Sequence, residues 1–500
     1  MSKIKTISLC GLIAISSVPA LAELQHQDMD VNQDGLVSKA EWVHYVNRRF
    51  DELDANKDQM LKSGEVGRGA LEYGDKNKDG GVSLSEYQQF RQGHFERKDQ
   101  DQSGTLTLRE VLESPAAKTA AATVDFSGKR AKLEALSSLT TAPAMHLAEG
   151  FDSTDNLVAI YYEALDWQGQ PTKVFAWLGM PDDYEGEVPA MVLVHSGSAY
   201  KEWVQEWTAR GYAAISISVE GQTDRRVDKV WERHEWAGPQ RVGIYGDSTE
   251  ALEDQWMYHA VADTILANSL IRTIDGVDAS RVGVMGISWG GVITSTVIGL
   301  DDRFAFGVPT FGCGGLASAE NRYGEALGNN ETYKQVWDPM LRLRRAKLPT
   351  LWLSRPEGKH FPMDIFALNY ATVTGEHMVS LVPKMGHGHG PGWNRPECYA
   401  FADSIVNGLG PWCVPVRASL QGDLCKATFR STKVLDAAVL VSTTDRGVSG
   451  ERKWVETPAT VVRKGSNWSA RATLPAGSTA WFMNVKSGDL VTSSDYQEVR

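Results

Sequence analysis

Ten residues constrain this chain more than any others: Val282-Gly283-Val284-Met285-Gly286-Ile287-Ser288-Trp289-Gly290-Gly291. An apolar run of buried-strand character ends in Gly-x-Ser-x-Gly, and an apolar segment with few helix breakers follows. The pattern predicts a strand that turns sharply into a helix and presents Ser288 at the apex. Glycines flank the serine because such a turn is strained and the neighbouring backbones come close. An idle serine in a glycine-rich turn would satisfy the same positions, so the surroundings must decide.

Those surroundings are strands alternating with helices. Val158 to Leu165 and Lys173 to Leu178 read as a hairpin, and Pro189 to His195 as a short apolar strand. A helix with Trp203 and Trp207 follows, then the strand Ala213 to Ile217. Further apolar strands come at Leu348 to Ser354 and Met378 to Val382. Alternation of this kind predicts βαβ units and a mostly parallel sheet. With the Gly-x-Ser-x-Gly turn it resembles an α/β-hydrolase core, a likeness that implies a triad in the order Ser, acid, His. His387, the first histidine after the last strand, is the expected general base, with His389 as the alternate. The acid is Glu357, on the loop after Ser354, or Asp364 seven residues on. Backbone N–H groups of Trp289 and of the loop at Gly197 are the expected oxyanion donors. Cys313, in a Phe-Gly-Cys-Gly setting, reads as a buried loop rather than a nucleophile. The segment from Gly221 to Gln255 carries Arg225, Arg226, Trp231, His234, Trp236 and Tyr245, and reads as a pocket-shaping insertion or a packed excursion. A metal on the Gly-His-Gly-His run is disfavoured because no Cys or Glu-x-x-His accompanies it.

Upstream lies a repeat. Asp30, Asn32, Asp34 and Glu41 stand at positions 1, 3, 5 and 12 of a loop, as do Asp54, Asn56, Asp58 and Glu65. Asp75, Asn77, Asp79 and Glu86 repeat the spacing, and so do Asp99, Asp101, Ser103 and Glu110. This is the EF-hand calcium loop: Ca²⁺ is a hard cation that needs six to eight oxygens, two of them from the final Glu. In the second loop Gln59 replaces the turn glycine. Val37, Leu61, Val82 and Leu106 fall at position 8, where paired loops touch. The gaps between loops hold one short helix each, so a helix leaving one loop also enters the next. A structural or tethering role is expected, with affinities of ~10⁻⁴–10⁻³ M.

The remaining organisation follows from composition. At 500 residues, 42 % hydrophobic and 23 % charged, the chain reads as an ordinary soluble multidomain protein. A formal net charge of −12 argues against nucleic acid or an anionic membrane surface as partner. Lys3 and Lys5, an apolar run from Ile7 to Val18, and Ala20-Leu21-Ala22 predict a signal peptide over 1–22 and an exported, periplasmic or extracellular protein. No apolar run is long enough for a membrane span. The expected domains are calcium loops over 23–114, a linker over 115–143, the hydrolase over 144–410 and a small β-sandwich over 411–500. In an oxidising compartment Cys313, Cys398, Cys413 and Cys425 allow three full pairings, and Cys413 with Cys425 would clip the entry to the last domain. Trp454, Trp468 and Trp481 of that domain read as core, with carbohydrate binding the competing use.

Gly286-Ile-Ser-Trp-Gly-Gly, Leu300-Asp-Asp-Arg-Phe, the Val308-Pro…Gly-Cys-Gly314 stretch and Gly386-His-Gly-His-Gly-Pro-Gly-Trp393 resemble the acetylxylan esterase and dienelactone-hydrolase-related enzymes. The resemblance runs from about Pro189 to Asn407. It implies a serine esterase that removes acyl groups, often acetyl from polysaccharide, with no catalytic cofactor. Such proteins read Gly-x-x-Asp in the acid loop, whereas this chain reads Arg355-Pro356-Glu357-Gly358. Two rival expectations remain: a calcium-dependent scaffold with an inactive hydrolase core, and a serine peptidase of the same fold.

Overall fold

A computed structural model describes residues 29–32, 34, 36–62, 65–66, 71, 74–99, 103–107 and 125–499. The signal segment, Gly35, Asp101, Glu110 and residues 115–124 of the expected linker lie outside the described residues. The chain forms two compact units, one holding the calcium loops and the other Lys62–Leu71 with Ala121–Arg500.

In the first unit, helices Lys39–Leu53 and Leu84–Lys98 each begin with a capping box, Ser38 with Glu41 and Ser83 with Glu86. The loop's twelfth residue is therefore also the helix's third. Each helix ends on the first residue of the next loop, Asp54 or Asp99, so one helix does serve two loops. Strand β1 (Leu36–Ser38) pairs with β4 (Thr105–Thr107) and β2 (Met60–Leu61) with β3 (Val82–Ser83). Val37 faces Leu106 and Leu61 faces Val82, all four fully buried. Trp42 packs edge-on against Phe95, and Phe50 against Tyr87, to close a small core.

The second unit is built on a nine-stranded mixed sheet in the order β15-β14-β13-β12-β8-β9-β7-β6-β5. These strands are β5 (Met145–Leu147), β6 (Leu157–Glu163), β7 (Lys173–Gly179), β8 (Val188–Val194), β9 (Ala213–Ile217), β12 (Val277–Ile287), β13 (Phe306–Thr310), β14 (Thr350–Ser354) and β15 (His377–Leu381). A separate hairpin, β10 (Gln222–Val227) with β11 (Val230–Arg233), lies in the segment after β9. The run from β9 through β8, β12, β13 and β14 to β15 is parallel, and β5 to β7 join it antiparallel. Ala190 to Val194 and Val282 to Ile287 are buried on both faces, which is why they read as unbroken apolar runs.

The last strands form the small all-β part expected there, and they do so as one connected sheet. β16 (Cys413–Gln421), β17 (Leu424–Ser431), β18 (Ala437–Thr443), β19 (Val455–Lys464), β20 (Asn467–Thr473), β21 (Ala480–Ser487) and β22 (Leu490–Ser493) make one curled antiparallel sheet, with β23 (Gln497–Glu498) on β21. The cause is β19. Its first half, Val455 to Ala459, pairs with β18, and its second half, Thr460 to Lys464, pairs with β20. One long strand that changes partner joins what would otherwise be two sheets. Trp468 and Trp481 are core, and Trp454 packs on Phe482 and Tyr496, so the carbohydrate reading of these rings loses its basis. The four cysteines are free and buried. Cys413 faces Ser431 and Cys425 faces Leu420 at opposite ends of the β16–β17 hairpin, so the expected clip does not form.

This curled sheet also closes the edge of the nine-stranded one. Leu381 N of edge strand β15 donates to Ser493 Oγ (2.8 Å), and Leu381 O accepts from Asn484 Nδ2 (3.0 Å). Val379 O accepts from Thr492 Oγ1 (3.1 Å), and Ser493 Oγ donates to Asn484 Oδ1 (2.6 Å). An edge that could recruit a foreign strand is satisfied by side chains instead. Ser493→Ala removes a partner from two buried groups at once, and is expected to destabilise by about 1–3 kcal/mol, read by urea unfolding.

Candidate active site

The nucleophile turn has the predicted form. β12 ends at Ile287, Ser288 sits at φ 60°, and the helix Trp289–Val297 starts directly after it. A Cβ on Gly286 would overlap the carbonyl oxygen of Gly290, and one on Gly290 would overlap the carbonyl oxygen of Val194. The helix start can therefore rest on the ends of β12 and β8 only without side chains at these positions. The same approach brings the loop after His195 beside the serine, because His195 Cα lies 3.0 Å from the Gly290 Cβ position. Gly197 of that loop has φ +98°. The Trp289 ring is fixed by Tyr245, Trp256 and Tyr323, with ring centres 5.6–5.8 Å away.

His387 Nε2 lies 3.2 Å from Ser288 Oγ. His389 sits elsewhere: its ring lies tilted against His195 with centres 3.7 Å apart, and its Nε2 lies 3.4 Å from the Tyr200 hydroxyl. Neither candidate acid reaches the imidazole, and among the described residues no carboxylate hydrogen-bonds to His387. Glu357 Oε2 accepts instead from Lys384 N (3.1 Å), and Arg355 donates to Met385 O (2.8 Å). The acid loop thus grips the backbone two and three residues ahead of the histidine. Asp364 opens the helix Met363–Thr372, where its Oδ1 accepts from Ser449 Oγ (3.2 Å). Burial pushes its carboxyl up, with Glu498 and Glu320 adding to the effect.

Burial pushes His387 down to about 4, and the positive charges of His360, Arg355 and Arg322 push the same way. Phe311 and Phe361 flank the ring. Sequence reasoning missed Phe311; its signal is structural, a non-glycine residue at φ 50° just after β13. Burial likewise holds His195 neutral and the Cys313 thiol protonated, which removes Cys313 as a rival nucleophile.

A cavity of about 560 Å³ is lined among others by Phe151, Trp177, Tyr200, Trp231, Trp393, Asp224 and Arg225, and neither Ser288 nor His387 is part of its lining. It shares Ala199 and Tyr200 with the loop after His195, and Trp393 with the histidine helix His389–Trp393. The insertion contributes Arg225 and Trp231 to this wall, while its Tyr245 is buried against Trp289.

In the calcium loops the ligand carboxylates are turned to the loops' own N–H groups. Asp30 and Asn32 both accept from Asp34 N, and Glu41 accepts from Val31, Asn32 and Ser38 N. Asp75, Asn77 and Glu86 repeat the arrangement, Asp54 and Asn56 accept from Asp58 N, Asp99 accepts from Gly104 N, and Glu65 accepts from Lys62 N. Hydrogen bonds from Ser38 and Ser83 hold Glu41 and Glu86 below the usual carboxylate range. Among the described residues, no group of three or more His, Cys, Asp or Glu side chains is gathered to hold a metal. The donor set is nonetheless all oxygen, which suits a hard cation.

Fold and site together define an α/β-hydrolase with a mixed sheet. More narrowly, the fold is acetyl xylan esterase-like: residues 83–312 match the family model of acetyl xylan esterase, and residues 27–46 and 69–90 match that of the EF hand. The first match supports a carboxylic-ester hydrolase. It contains Ser288 and ends before Glu357 and His387. An acetyl xylan esterase from Paenibacillus sp. R4 is 21 % identical, covering 58 % of this chain and 97 % of its own, with a TM-score of 0.45. Acetyl xylan esterase 1 from Thermoanaerobacterium sp. JW/SL YS485 is 19 % identical over 55 % and 92 %, TM-score 0.42. A Pyrococcus horikoshii acylaminoacyl peptidase is 18 % identical over 52 % and 42 %, TM-score 0.36. Among the described residues no helix is long and apolar enough to cross a membrane.

A base must be neutral to take a proton, so a lowered pKa keeps His387 competent as the medium is acidified. The acid limb of kcat/KM is expected at about 4 rather than near the ordinary 6.5 of histidine. A pH–rate profile on p-nitrophenyl acetate checks this, and a limb near 6.5 would mean that a carboxylate joins the imidazole in solution.

Proposed function

We propose that the protein is an exported serine esterase that removes acyl groups, acetyl above all, from carbohydrate. One observation carries the reading: a strained serine at φ 60° with an imidazole nitrogen 3.2 Å from its oxygen. In the proposed mechanism His387 takes the Ser288 proton as Oγ attacks the ester carbonyl. The N–H groups of Trp289 and Gly197 stabilise the tetrahedral oxyanion, the alcohol leaves with the proton from His387, and water repeats the sequence to release the acid. Glu357 is the proposed acid, on the loop that already grips the histidine loop. The aromatic and charged cavity that shares Tyr200 and Trp393 with the loops flanking the site is consistent with a sugar as the alcohol part, since ring faces pack on pyranose C–H faces while carboxylate and guanidinium groups bond hydroxyls. Export rests on the charged and apolar pattern of residues 1–22.

Ser288→Ala is expected to abolish hydrolysis of p-nitrophenyl acetate and labelling by a fluorophosphonate probe. Glu357→Gln should lower kcat by about 10–10⁴-fold, the upper end being what a triad acid supplies. The lack of a carboxylate on His387 favours one rival, a calcium-dependent scaffold with a retired core. That rival predicts no turnover of acetylated xylan and no probe labelling in the wild type.

We further propose that the loops bind Ca²⁺ in a structural role, through the Asp, Asn, Ser and Glu oxygens named above. Cation binding requires Glu41 and Glu86 to exchange backbone N–H partners for the ion, which fits weak binding. Chelation is expected to lower the melting temperature of the segment 23–114 and to leave esterase rates largely unchanged. Loss of activity in chelator, restored by Ca²⁺, would reverse that assignment.

A further inference from the structure

The C-terminal sheet sends one short turn, the 3₁₀ helix Ser449–Glu451, against the loop that carries Glu357. A Cβ on Gly450 would lie 2.5 Å from Gly358 O and 2.8 Å from Lys359 Cα, so backbone touches backbone there. Ser449, 2 % exposed, accepts from Met363 N (2.7 Å) and donates to Asp364 Oδ1. The helix Met363–Thr372 has Pro362 at its N-cap and no side-chain cap of its own, so Ser449 supplies the missing acceptor from the C-terminal sheet's turn. The turn itself is anchored. Arg452 donates to Gly447 O, and its Nη1 donates to the Tyr496 hydroxyl (3.2 Å).

From this we infer that the turn Val448–Gly450 is a positioning element for the active site, working through a chain of backbone contacts. It fixes the acid loop between β14 and the helix Met363–Thr372. Arg355 and Glu357 of that loop then hold Met385 O and Lys384 N, and these set the loop that places His387 on Ser288. The C-terminal sheet thereby gains a role in the reaction although none of its residues meets the serine or the histidine. The inference rests on His387 acting as the base.

The test uses full-length Gly450→Ala, Ser449→Ala and the hydroxyl-retaining Ser449→Thr, each compared with wild type. Two readouts are taken: amide hydrogen exchange, and kcat with KM on p-nitrophenyl acetate. The expected result is faster exchange in residues 355–364 and 382–389 with the 282–297 segment unchanged. With it should come a kcat loss of about 10–100-fold at unchanged KM, the cost of a small misplacement of catalytic groups, and recovery in Ser449→Thr. Wild-type exchange and wild-type kcat in folded Gly450→Ala and Ser449→Ala would overturn the inference. If Gly450→Ala does not fold, Ser449→Ala decides. A wild type inert to ester and probe would instead defeat the esterase reading, while exchange in the two loops still tests the positioning contact.

Discussion

The site depends on one close approach, that of the elbow helix to the ends of β12 and β8. Holding a serine at φ 60° costs on the order of 1–3 kcal/mol, so the turn persists only where its surroundings over-determine it. Here they do. Ser288 N donates to Thr310 O and Val292 N to Ser288 O, and every residue of the helix Trp289–Val297 is buried. Rings packed as Tyr245, Trp256 and Tyr323 are on Trp289 contribute about 0.5–1.5 kcal/mol per pair beyond the area they bury. Packing outweighs strain, and the serine is held at the apex of the turn by the residues packed behind it.

Electrostatics at the histidine pull the other way. Burial and three cationic neighbours favour the neutral ring, which suits a base waiting for a proton. They also penalise the imidazolium that forms once the proton arrives. Among the described residues no carboxylate hydrogen-bonds to the ring to offset that cost, and Glu357, on the neighbouring loop, is held by Lys384 N.

Much of this was legible in the sequence because it is written in local pattern. Gly286 and Gly290 announce the turn around Ser288, since no residue with a Cβ tolerates those approaches. The doubly buried strands announce themselves as unbroken apolar runs, and the calcium loops by oxygen ligands at fixed spacing. The missing parts are those that depend on long-range pairing. Nothing near Val455–Lys464 says that one strand will change partner midway and join the C-terminal strands into one curled sheet. Nor does Glu357 carry a mark that tells a bond to Lys384 N from one to His387. Cys413 and Cys425, close in sequence, are separated by the length of a hairpin.

The edge of the hydrolase sheet shows why the C-terminal strands belong to the same compact unit. β15 offers outward N–H and C=O groups that water or a foreign strand would otherwise take. Ser493, Asn484 and Thr492 satisfy them with side chains, not with a further strand, so the two sheets meet without merging. A buried polar seam of this kind is costly to break on one side alone, because each orphaned group keeps its desolvation penalty. The seam ties the curled sheet to the edge of the hydrolase sheet, and the same curled sheet carries the turn whose Ser449 accepts from Met363 N beside the acid loop.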